Sequence, residues 1–139
     1  MSYRRNRIAV TVAILGLVIS IPIAQAQRQD AEFTEALLGK WSGTWQLATA
    51  KQKGADVLMV IKKVDLDQKF VEINYSWSAG KRSPGGEANV KADYIPPDKL
   101  RWHLKDSDAY EFQLKDGILW GTRTRGGHEA KIKMRKIKE

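Results

Sequence analysis

The chain has 139 residues, a formal net charge of +8, five tryptophans and no cysteine, which leaves room for one domain plus a short leader and excludes a multidomain enzyme. With 29% charged and 42% hydrophobic residues, it is not a disordered polyampholyte and calls for a packed core. The missing cysteine excludes disulfides, thiolate chemistry and acylation through a thiol.

Met1–Arg7 is basic, Ile8–Ala24 is nearly continuous apolar sequence, and Ala24-Gln25-Ala26 places small residues where a signal peptidase reads them. This layout predicts a Sec-type signal peptide over residues 1–26, cleaved between Ala26 and Gln27, and a periplasmic or secreted mature chain. An uncleaved anchor is the alternative; the run is slightly short for a span and contains Pro22. The leader holds three arginines and no acid, so residues 27–139 carry 21 Lys+Arg against 16 Asp+Glu, a net +5.

Within the N-terminal helix segment 27–38, Asp30–Leu38 predicts a short helix, with Asp30 as its cap, Phe33, Ala36 and Leu37 on one face, and Gly39 ending it. From residue 39 to 139 the period changes to two. Eight strands are predicted: Lys40–Ala48, Asp56–Val64, Lys69–Ser78, Glu87–Ile95, Lys99–Lys105, Ala109–Lys115, Ile118–Thr124 and His128–Ile137. Strand three alternates Val71, Ile73, Tyr75 and Trp77 with Glu72, Asn74 and Ser76, and strands four to six behave alike. Such one-sided strands belong to an antiparallel sheet.

Alternation constrains the last hairpins. An Asp106-Ser107-Asp108 loop opposes Trp102 to Phe112. A three-residue Lys115-Asp116-Gly117 loop opposes Phe112 to Trp120, and Arg125-Gly126-Gly127 opposes Trp120 to Ile132. This register sets Trp120 inward, whereas a two-residue Asp116-Gly117 turn would set it outward. Tight loops without a long crossover suit either a sandwich or a closed barrel, and closure removes the exposed edges. The expected fold is therefore all-β: an eight-stranded antiparallel up-and-down barrel over residues 39–139, with a short N-terminal helix after the signal peptide. Strand two, Val57-Leu58-Met59-Val60-Ile61, is apolar on both faces. Its outer side calls for a cover, either the helix or a second subunit in a homo-oligomer joined through residues 57–61.

The first strand opens Gly39-Lys40-Trp41, and this Gly-x-Trp after a short helix resembles the calycin superfamily of lipocalin-like and avidin-like barrels. The resemblance implies that Trp41 packs at one barrel end against a basic residue of the last strand, here Arg135 or Lys136. The other lipocalin motifs and the avidin biotin contacts are not recognisable.

The aromatic residues Trp45, Tyr75, Trp77, Tyr94, Trp102, Tyr110, Phe112 and Trp120 are predicted to converge on the inner face. There they either fill the barrel or line a pocket for a small apolar or amphipathic ligand. Residues 80–86, the longest and most basic connection, stand where a pocket would be gated. The C-terminal hairpin concentrates Arg123, Arg125, Lys131, Lys133 and Arg135. This basic patch suits an anionic envelope component or an acidic protein, or serves only to keep a strand edge soluble. His103 and His128 lack metal-ligand spacing, and Asp65-x-Asp67 and Asp106-x-Asp108 read as turns. No catalytic residue, metal or cofactor is assigned, and export argues against nucleic acid. Two readings follow, a non-catalytic ligand-binding barrel and an interaction module with a filled core. A third, an enzyme using His103 or His128, lacks a recognisable constellation.

Overall fold

The period-two segments pair in chain order into a closed antiparallel barrel, the last strand returning to the first. The computed structural model describes residues 17–47, 53–80, 84–105 and 108–139. Its elements are α1 (Leu17–Leu37), β1 (Gly39–Leu47), β2 (Lys53–Asp65), β3 (Phe70–Trp77), β4 (Gly86–Ile95), β5 (Lys99–Leu104), β6 (Asp108–Lys115), β7 (Ile118–Arg125) and β8 (His128–Lys136). The leader up to residue 16, Ala48, residues 81–83 of the gating loop and Asp106-Ser107 lie outside the described residues.

The helix does not start at Asp30. Residues 24–29, Ala-Gln-Ala-Gln-Arg-Gln, contain nothing that breaks a helix, so α1 runs through them. Arg28 pairs with Glu32 one turn later, at 3.2 Å. Among the described residues no helix is long and apolar enough to cross a membrane. The chain divides into two units, Met1–Glu32 and Phe33–Glu139, the second holding the last turn of α1 and the barrel.

That last turn is tied to the barrel through its carbonyls, the groups a helix end leaves without partners. Leu38 N donates to Thr34 O at 3.0 Å. Lys136 Nζ donates to Glu35 O and Ala36 O at 3.1 and 2.9 Å, and the Trp41 indole N–H donates to Leu37 O at 2.9 Å. Lys136 also lies 5.7 Å from the centre of the Trp41 ring. Of the two basic residues considered for Trp41, Lys136 is the one in place; Arg135 faces outward and pairs across from Ile118. Gly39, at φ 120°, allows the chain to leave the helix and enter β1, where a Cβ would come within 3.0 Å of Lys136 Cε. Leu37 is fully buried here, and Phe33 packs on Tyr94 with ring centroids 5.5 Å apart. The last turn of α1 therefore packs at a barrel end; in strand two Leu58 is 41% exposed while Val57, Met59 and Ile61 face the core.

The three late hairpins settle which side chains face in. Between β5 and β6 the loop spans residues 105–107, one pair earlier than alternation suggested. Leu104 opposes Asp108 and Trp102 opposes Tyr110. Loop length is unchanged, so the inward set survives with different partners. The next two hairpins depart more. Asp116-Gly117 forms a two-residue turn with φ of 53° and 72°, opposing Leu114 to Leu119. Gly126-Gly127 forms another, with φ of 53° and 80°, opposing Arg125 to His128. Left-handed conformation at both central residues marks the type I′ turn, whose twist matches that of the flanking strands better than a longer loop does.

Each two-residue turn shifts the pairing by one residue, and a one-residue shift exchanges the two faces of a strand. β7 is accordingly turned over: Leu119, Gly121 and Arg123 point inward, and Trp120 lies on the outer wall, 45% exposed. The inward placement of Trp120 is thus corrected. The second turn reverses the face again, so Ala130, Ile132 and Met134 of β8 are buried as the alternation expects.

Candidate functional site

The interior is filled at one end and hollow at the other. In its filled part, Met59, Ile61, Val71, Ile73, Leu100, Phe112, Leu119 and Met134 are all buried. At the opposite end, where β1, β3, β5 and β7 finish, a cavity of about 1600 Å³ opens. Pockets that hold drug-sized molecules run to roughly 300–1,000 Å³. The side chains of the described residues do not plug this end.

Its lining comes from six strands, β1, β2, β3, β5, β6 and β7, and from the β3–β4 connection. Trp77 supplies aromatic surface and Leu47 and Leu104 aliphatic surface, while the almost fully buried Trp45, Tyr75 and Tyr110 close the floor. Gly80, Pro84 and Gly85 of the connection predicted to gate the pocket belong to the lining. Lys53, Asp56, Lys105, Asp108, Arg123 and Arg125 provide the charges.

The aromatic members hold one another in place. The Trp45 indole N–H donates to Tyr75 Oη at 2.8 Å, with both residues about 1% exposed. Tyr75 meets Tyr110 edge-on, at 5.6 Å between centroids and 67° between planes. Behind them Trp102 stacks on Tyr110 and on Phe112 at 5.2 and 5.0 Å, with planes within 4°. Such pairs contribute roughly 0.5–1.5 kcal/mol each beyond the area they bury. The Trp102 indole N–H is buried without an acceptor among the described residues. Burial also pushes the Tyr75 and Tyr110 phenols above the ordinary tyrosine range, partly countered for Tyr75 by the Trp45 hydrogen bond and for Tyr110 by Arg123.

Charge is arranged in two layers. At the mouth, Arg125 forms a two-point ion pair with Asp108, whose carboxylate is almost fully buried, with Nε–Oδ1 at 2.6 Å. One inward position deeper on β7, the half-buried Arg123 guanidinium lies 5.2 Å from the centre of the Trp45 ring and beside the Tyr110 phenol. Asp56, on the rim, accepts from Thr44 Oγ1 at 2.6 Å.

The eight aromatic residues expected to converge do not form one site. Trp45, Tyr75, Trp77 and Tyr110 line the cavity, and Trp102 and Phe112 back its floor. Tyr94 is buried against Phe33 at the helix-covered end, with its hydroxyl on Pro97 O at 2.9 Å. Trp120 stands outside, beneath Lys133 Nζ at 5.0 Å. The basic patch is also divided: Arg123 and Arg125 serve the cavity, whereas Lys131, Lys133 and Arg135 form the outer stripe. His103 and His128 are exposed, and among the described residues no group of three or more His, Asp or Glu is placed to hold a metal ion.

Sequence reasoning overlooked Asp108, Arg123 and Arg125 as cavity residues. The signal was present in the dipeptides Asp116-Gly117 and Gly126-Gly127, the residue types that two-residue hairpins require. Taken at face value, these turns place Arg123 inward.

Comparison with protein-family models, with curated proteins and with solved structures finds no match to this chain.

Proposed function

We propose that the protein is an exported, non-catalytic calycin-type barrel that binds a small apolar or amphipathic molecule in the cavity at its open end. The observation that carries this reading is the combination of a filled, helix-covered end with an unfilled one walled by Trp45, Tyr75, Trp77 and Tyr110. A barrel that needed its aromatics only for packing would gain nothing by leaving this volume open, since unfilled space forfeits contacts. The Trp41–Lys136 contact beside the helix end supports the calycin reading. Titration with N-phenyl-1-naphthylamine, a neutral fluorescent aryl probe, tests the proposal. Saturable binding of one probe per barrel, with a rise in its emission, is expected; no saturable binding overturns it.

The exposed Trp120 beside Lys131 and Lys133 favours a second reading, in which the outer wall docks on an anionic envelope component. On that reading, retention on anionic beads is lost in the Lys131→Glu/Lys133→Glu variant. Retention unchanged in the variant counts against it.

A further inference from the structure

The floor of the cavity brings several hydrogen-bond donors together. Arg123 is half-buried, and no described carboxylate lies within ion-pair distance of it; Asp108, the buried acid nearby, is held on two points by Arg125. A guanidinium carries five N–H donors in a fixed fork and loses no proton at any ordinary pH. The Trp45 ring face and the Tyr110 phenol beside Arg123 hold that fork in place without neutralising it. Tyr75 Oη already accepts from Trp45, which leaves its own hydrogen to give. The buried Trp102 N–H, in the ring layer behind, has no acceptor among the described residues. A cation drawn partly out of water with no ion-pair partner among the described residues is costly, and a bound anion lowers the cost.

From this we infer that the ligand is a small amphiphile with one anionic group, a carboxylate or an equivalent oxyanion, seated on Arg123 with the Tyr75 and Tyr110 hydroxyls as further donors. The inference rests on the proposed use of the cavity for binding. Arg123 lies one inward position below the Asp108–Arg125 pair at the mouth, so the anionic group enters first. The apolar body then lies along Trp45, Trp77, Leu47 and Leu104. Lys53 and Lys105 at the rim favour the approach of an anion.

Two dyes that differ by a single group provide the test: 8-anilinonaphthalene-1-sulfonate and its neutral parent, N-phenyl-1-naphthylamine. Charged hydrogen bonds are worth enough for the sulfonate to bind roughly tenfold or more tighter than the parent at about 0.15 M salt. In Arg123→Met, checked for a native near-ultraviolet spectrum, the affinity ratio falls to about one. If that variant does not fold, Tyr75→Phe/Tyr110→Phe serves in its place, with the ratio falling by about threefold or more. Equal or tighter binding of the neutral dye by the wild-type barrel overturns the anion inference and leaves the cavity reading standing. A preference for the sulfonate that survives Arg123→Met but is lost in Lys131→Met/Lys133→Met assigns the anion to the outer wall and also overturns it. Saturable binding of neither dye contradicts both.

Discussion

Replacement of Trp41 by alanine is expected to lower the stability of the barrel by about 3–5 kcal/mol, the range for deleting a buried tryptophan side chain. Trp41 is 1% exposed, and it connects three elements. It is paired with Met59 of β2 and Lys136 of β8, and its indole N–H caps Leu37 O at the end of α1. Alanine removes the ring and leaves the Leu37 carbonyl without its donor. The same change removes the surface over which Lys136 holds its ammonium between two helix carbonyls. Trp41→Phe keeps most of the packing and loses the hydrogen bond, so about 1–2 kcal/mol is expected for it. Urea unfolding followed by far-ultraviolet circular dichroism measures both. A loss below about 1 kcal/mol in Trp41→Ala would show that the helix-covered end is not secured in this way.

Gly121→Val is expected to cost at least about 1–3 kcal/mol, through overpacking rather than a cavity. Gly121 is buried on the inward face of β7 between Leu119 and Arg123. A Cβ there would collide with Phe112 Cε1 and come 2.7 Å from Ile132 Cγ2. Neither neighbour yields easily. Phe112 is fully buried and stacked on Trp102, which is itself stacked on Tyr110, so displacement of the first ring moves the cavity floor. Gly80→Ala is the matched control: a Cβ at Gly80 meets nothing within 4 Å, and a change within about 0.5 kcal/mol is expected. The comparison also tests the register. Had the three-residue loops been used, residue 121 would face outward and its substitution would be mild.

The sequence carries most of the fold because one physical rule, the alternation of buried and exposed side chains, repeats through all eight strands. It places Tyr75, Trp102, Tyr110, Phe112, Ile132 and Met134 correctly. The alternation fails at β7, where Ile118, Trp120 and Thr122 look as suited to the interior as Leu119, Gly121 and Arg123. Hydrophobicity alone prefers the wrong set. The turn backbone decides instead: positive φ at Asp116, Gly117, Gly126 and Gly127 fixes two-residue loops and carries a glycine and an arginine into the core. The site was therefore legible in its aromatic half and hidden in its charged half. An inward arginine is costly unless something pairs with it, so a reading based on burial assigns it to the surface. The helix start was missed for a different reason, since residues 24–29 ahead of Asp30 contain no breaker and α1 continues through them.

The five tryptophans occupy five distinct places, which makes their indole N–H resonances the most direct test of the account. Trp41 lies at the helix-covered end, Trp45 on the cavity floor, Trp77 in the cavity wall, Trp102 behind the floor and Trp120 on the outer wall. In a nitrogen–proton correlation spectrum, addition of N-phenyl-1-naphthylamine is expected to shift Trp45 and Trp77 most and to leave Trp41 and Trp120 in place. Shifts confined to Trp120, with Trp45 and Trp77 unmoved, would put binding on the outer wall and contradict an open-ended barrel that takes its ligand inside.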